Sequence, residues 1–66
     1  MMILNAQEKK IMKVLYLANK PLSTKEISER AELSWPTTKK YLDEMHKKNY
    51  VDGGIKGNSV FWWIKY

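Results

Sequence analysis

The 66-residue sequence has no cysteine, two prolines, three glycines and a single histidine. Without cysteine there is no disulfide, no thiolate metal site and no thiol nucleophile. His46 sits on a helix flank beside lysines, so neither a metal ligand set nor a nucleophile–base pair can be built around it. The serines, threonines and acids each have a simpler reading as helix caps or ion-pair partners. The expectation is a protein that is not an enzyme, with no cofactor, no metal and no evident small-molecule ligand. No run approaches the ~20 apolar residues of a membrane span, and Met1-Met2-Ile3-Leu4 is too short for a signal-peptide core and lacks a basic region before it. These absences predict a cytoplasmic protein that does not enter membranes. Acid is scarce too: seven Asp and Glu face twelve Lys and Arg, for a formal charge of +5. That balance favours a polyanionic partner, either nucleic acid or an acidic membrane surface.

What is present is material for packing. A chain of this length buries only ~60% of its unfolded surface, so it depends on dense packing or association once disulfides and metals are excluded. Hydrophobic residues make up 44%, with three Trp, four Tyr and one Phe. No internal repeat or linker interrupts them, and residues 1–66 read as one domain.

Local signals mark three helices. Asn5 and Glu8 have the spacing of a capping box, and Ile11, Val14, Leu15 and Ala18 recur at the helical interval, with Met12 and Leu17 widening the stripe. Asn19, Lys20 and Pro21 end that helix, since proline cannot continue it. Ser23 and Glu26 form a second capping box, flanked by Leu22 and Ile27 at the hydrophobic-staple positions. This predicts a short helix from Thr24 to Ala31, with Ile27 and Ala31 on its buried side. The third begins at Ser34 or Trp35, with Pro36 in the first turn, where its missing N–H is harmless. Thr38, Tyr41, Leu42 and Met45 form its buried stripe, and Asn49 suits a left-handed stop.

After Tyr50 the period changes. Residues 59–66 are rich in β-branched and aromatic side chains, and Gly57-Asn58 is a plausible two-residue hairpin turn. Gly53-Gly54 has no phosphate-loop spacing and reads as a turn or bulge. In the last strand Val60, Trp62, Ile64 and Tyr66 share one face, while Phe61 and Trp63 share the other with Ser59 and Lys65.

The run from Leu22 through Glu26-Ile27, Leu33-Ser34 and Thr37-Thr38 to Leu42 resembles a helix-turn-helix unit. Continued through Lys47-Lys48-Asn49-Tyr50-Val51 and the hairpin, it is similar to winged helix domains of bacterial and archaeal regulators, nearest in style to the multiple-antibiotic-resistance-repressor-like families. Ser28, Glu32 and Thr38 depart from the usual Ala, Gly and Val, and a glutamate at position 32 weighs against a left-handed turn there. The resemblance covers about residues 4–66. It implies a mainly α fold, three helices with a small β-hairpin wing. It also implies a transcriptional regulator whose recognition helix, about residues 35–48, enters the major groove of double-stranded DNA with the wing, about residues 50–66, alongside.

The residues of the third helix point the same way. Its first turns offer hydroxyls and lysines, the mixture that phosphates and base edges require. Ser34, Trp35, Pro36, Thr37, Lys39 and Lys40 are the candidate contacts there, with Lys56 and Asn58 on the wing. Trp35 has a second reading as a core plug. Lys47 and Lys48 follow Asp43 and Glu44 by four residues and read as partners in helix ion pairs. Two aromatics left on the outer face of the last strand mark an interface. Regulators of this type often occupy two half-sites, so a homodimer is expected, through Phe61 and Trp63 or through Met12, Tyr16 and Leu17 of the first helix. The rival reading is a winged helix used for protein contact within a larger assembly. A third, single-strand binding, needs Phe61 and Trp63 exposed beside basic residues.

Overall fold

The computed structural model describes residues 3–66. Helix α1 spans Ala6–Ala18, α2 spans Thr24–Ala31 and α3 spans Trp35–Lys47; strands β1, β2 and β3 span Leu22–Ser23, Val51–Lys56 and Ser59–Ile64. Both expected capping boxes form. Asn5 and Glu8 exchange bonds of 2.8 and 3.0 Å, and Ser23 and Glu26 exchange bonds of 3.1 Å. Each satisfies two N–H groups that a helix start leaves without partners.

The helix ends are equally specific. At the end of α3 the Asn49 amide donates to the His46 carbonyl and the Tyr50 amide to the Met45 carbonyl, with Asn49 at φ 64°. That is a Schellman stop. The same pair of bonds closes α2, where Glu32 takes φ 56° and Leu33 donates to Ser28 at 3.0 Å. Glu32 therefore takes the left-handed turn that was not expected of a glutamate: the closing bonds and the half-buried Leu33 outweigh the cost of a side chain at positive φ, about 1–2 kcal/mol.

Strands β2 and β3 pair in regular antiparallel register from Val51↔Ile64 to Lys56↔Ser59. Gly57 carries the turn's positive φ of 64°, as a type II′ hairpin requires of its first central residue. Gly53 and Gly54 are neither turn nor bulge; they lie inside β2 opposite Trp62 and Phe61. Their missing side chains make room. A Cβ on Gly53 would stand 2.9 Å from Cε3 of Trp62, and one on Gly54 would stand 3.2 Å from Cη2 of Trp63. The glycine pair thus admits one indole on each face of the sheet.

Strand β1 had no signal in the sequence, being two residues long. It pairs with β3 on the side away from β2, giving the order β1-β3-β2. This joins the α1–α2 connection to the hairpin. The inner face of the sheet, through Val51, Val60, Trp62 and Ile64, packs on Ile11, Leu15, Leu22, Ile27, Leu42 and Met45. The sequence left open which face of β3 is buried, and this packing answers it. Two polar side chains of α2 join the interior, Thr24 and Ser28. The Trp62 indole N–H donates to Thr24 Oγ1 at 2.8 Å, and Ser28 Oγ donates to the Lys25 carbonyl at 2.7 Å.

Glu8 is buried as well. Its Oε1 completes the α1 cap, while Oε2 lies 3.6 Å from Lys48 Nζ with no hydrogen bond. Lys48 therefore pairs across to α1, and Asp43 pairs with Lys39. The expected Asp43–Lys47 and Glu44–Lys48 pairs are replaced, because Asp43 and Lys48 each find a partner elsewhere.

Candidate nucleic-acid interface

The first turn of helix α3 is exposed at Ser34, Trp35 and Pro36, and Ser34 caps it. Ser34 Oγ accepts the Thr37 amide at 3.3 Å and donates to Thr37 Oγ1 at 2.8 Å. Thr37 keeps its own hydroxyl hydrogen to give away. Thr38, one residue on, is buried, and its hydroxyl donates to the Ser34 carbonyl at 2.9 Å. Pro36 is exposed beside the cap.

Trp35 is 51% exposed and so does not plug the core. It lines a cleft of about 250 Å³ together with Lys39, with Thr24 and Lys25 from the start of α2, and with Asn58 and Ser59 from the hairpin tip. Three elements far apart in sequence meet there. The buried Trp62–Thr24 bond sits directly behind the meeting point and fixes the hairpin against α2.

Two lysines of α3 are differently placed. Lys39 Nζ donates to both carboxylate oxygens of Asp43 at 2.8 Å, so its charge is locally balanced. Lys40 is exposed, 5.6 Å from the Tyr41 ring centroid. Lys56 does not join the cleft; with Phe61 and Trp63 it lines the outer face of the sheet. Lys25 was missed by sequence reasoning. Its only signal is its place just after the Ser23 cap, where an exposed side chain projects beside whatever α2 abuts.

Of the candidate association residues, Tyr16 and Leu17 are 68% and 69% exposed and Trp63 is 37% exposed, whereas Met12 and Phe61 are half-buried. Met12 packs against the core. Among the described residues, no helix is long and apolar enough to cross a membrane.

Three helices, a hairpin and a cleft where the hairpin tip meets the third helix form a recurrent arrangement. The family model for winged helix-turn-helix DNA-binding domains matches residues 4–52. The chain belongs to this family. Solved winged helix structures agree on the fold. The transcriptional regulator HlyU from Vibrio vulnificus is 21% identical over 94% of this chain and 62% of its own, with a TM-score of 0.84. The homodimeric winged helix-turn-helix domain from Mycobacterium bovis, a possible ArsR-family regulator, is 16% identical over 94% of this chain and 56% of its own, at 0.83. The Zα domain of Carassius auratus PKZ, solved with Z-DNA, is 22% identical over 88% of this chain and 90% of its own, at 0.76. The chain spans only about three-fifths of the first two. No curated protein matches the sequence at a significant level. In this winged helix-turn-helix domain α2 and α3 are the helix-turn-helix pair, and β2 and β3 are the wing.

Proposed function

We propose that this winged helix domain binds double-stranded DNA as a transcriptional regulator, with α3 in the major groove and the wing tip on the adjoining backbone. The observation that carries the reading is the convergence of Lys25, Trp35, Lys39 and Asn58 on one cleft beside the exposed first turn of α3. Thr37 reaches base edges with its free hydroxyl hydrogen, and Ser34 holds it in place. Lys25 and Lys40 supply charge for phosphates on either side. Lys56 stands on the outer face of the wing and lines no part of this cleft.

Lys39 must leave Asp43 to reach DNA. A surface pair of this kind holds its lysine by only about 0.2–1 kcal/mol, less than a phosphate contact returns. Asp43 therefore acts as a brake on indiscriminate binding and is itself an acceptor for a cytosine amino group. The exposed Tyr16 flank of α1, which does not line the cleft, supports pairing of two copies on two half-sites.

The test is fluorescence anisotropy with a mixed-sequence duplex across a salt series. Affinity should fall steeply with salt, and the double variant Lys39→Ala/Lys40→Ala should bind more weakly with a flatter slope. Duplex affinity unaltered in that variant, with an unchanged melting temperature, would sink the reading. Absence of duplex binding even at low salt would move the weight to protein contact. Sedimentation of Tyr16→Lys against the parent chain checks the dimer, which the substitution should dissociate.

A further inference from the structure

The outer face of the sheet plays no part in the duplex reading. Trp63 projects from it, 37% exposed, with Phe61 half-buried beside it. The indole lies across Gly54, whose absent Cβ would sit 3.2 and 3.5 Å from Cη2 and Cζ3. The ring is thus laid against the strand, and its outer side is the part left to solvent.

Two clefts, of about 360 and 370 Å³, meet at this ring. Both are lined by Lys20, Pro21 and Trp63; one extends to Tyr66 and the other to Lys56 and Phe61. No Asp or Glu lines either cleft among the described residues. Asp52, opposite Trp63 on β2, is the acid of this face, and it lies toward the end away from Lys56.

A flat aromatic surface rimmed by lysines matches a base that stacks and a phosphate that pairs. An intact duplex keeps its base faces covered and cannot use Trp63. An unpaired strand can. A second copy of this chain is a poorer occupant, because it would set two net basic faces against each other, whereas a phosphate strand complements their charge.

We propose that the outer face of the wing sheet binds unpaired nucleotides of DNA or RNA, with Trp63 as the stacking platform and Lys20 and Lys56 on the flanking phosphates. This surface is separate from α3 and does not depend on the duplex reading. One stacked base contributes about tenfold or more to affinity.

The experiment measures anisotropy of labelled oligothymidylate and oligouridylate beside a mixed-sequence duplex, using the full chain. The parent chain should bind the strands at low salt. Trp63→Ala and the double variant Lys20→Ala/Lys56→Ala should each lose about tenfold or more in strand affinity, with duplex affinity within about twofold. Trp63→Phe should recover most of the loss, and Lys39→Ala/Lys40→Ala should show the reverse pattern. The two oligonucleotides distinguish DNA from RNA. Circular dichroism melts verify folding, and the lysine double variant keeps the test decisive if Trp63→Ala unfolds. Three results overturn the proposal: no strand binding by the parent chain, strand and duplex affinity lost together, or a dimer that Trp63→Ala dissociates. The last would assign the face to a second copy. Strand binding without duplex binding would leave this proposal standing and remove the other.

Discussion

Replacing Thr24 by valine keeps the shape of the side chain and removes the acceptor for the Trp62 indole. That acceptor sits 2.8 Å from Nε1, and both residues are 4% exposed, so no water replaces it without opening the junction. A buried donor stripped of its partner costs about 1–3 kcal/mol. For a domain of this size each kcal/mol shifts the melting temperature by roughly 4–8 °C. A central loss of about 2 kcal/mol therefore lowers the midpoint by roughly 8–16 °C. Thermal melts followed by circular dichroism read it directly, and Thr24→Ser, which keeps the hydroxyl, should recover most of the loss. The sharper test is a double-mutant cycle with Trp62→Phe, which deletes the donor. Once the indole N–H is gone, Thr24→Val should cost much less, giving a coupling of about 1 kcal/mol or more. Two costs that simply add would mean the bond contributes nothing, and the claim that it fixes the wing against α2 would fail.

Asp43→Asn should strengthen duplex binding by a few-fold at ~0.1 M salt and steepen the salt dependence by up to about one phosphate contact, because Lys39 is released; unchanged anisotropy would remove Lys39 from the interface. Gly53→Ala should destabilise by about 1–3 kcal/mol, since its methyl meets the buried Trp62 ring at 2.9 Å and displaces a side chain held by its bond to Thr24. Urea titration checks this, and Trp62→Leu should relieve the clash. The Ser23 amide that bonds the Glu26 carboxylate holds its pKa below the ordinary 4.5. Folding therefore favours the charged form, so the contribution is complete above 4.5 and is lost as pH falls through the lower folded value. Glu26→Gln should flatten the fall in melting temperature on acidification across that window, and curves that stay parallel would contradict the assignment.

The helices were legible because their ends are written in single residues. Asn5, Ser23 and Ser34 cap, Glu8 and Glu26 answer two of them, and Asn49 stops α3. These are local effects that need no knowledge of the rest of the chain. Most of the misreadings involve partners distant in sequence; the exception is Asp43, which pairs one turn back with Lys39 where Lys47, one turn on, was expected. Gly53-Gly54 looks like a turn until two tryptophans on the opposite strand demand the space. Glu32 looks unsuited to positive φ until Leu33 has somewhere to pack. Strand β1 is too short to show any period, and it exists because β3 offers it an edge. The candidate site divides the same way. Ser34 to Lys40 could be read from one helix face, but the cleft needed α2 and the wing to meet on it. Lys25 was therefore invisible, and Lys56, a candidate contact in the sequence, lines the outer face of the sheet and not the cleft.

The two glycines of β2 and the two tryptophans of β3 constrain how this sequence can drift. Each indole occupies the volume that a glycine vacates, one toward the helices and one toward solvent. An alanine at position 53 is admissible only after Trp62 has shrunk, and a smaller residue at 62 leaves a hollow unless position 53 has already grown. The order of change matters, and either first step passes through a less stable intermediate. Position 54 is looser, because Trp63 can swing outward. The inner pair should thus vary as a linked set among descendants of this chain, while the outer pair is free to change whenever its surface acquires a different use.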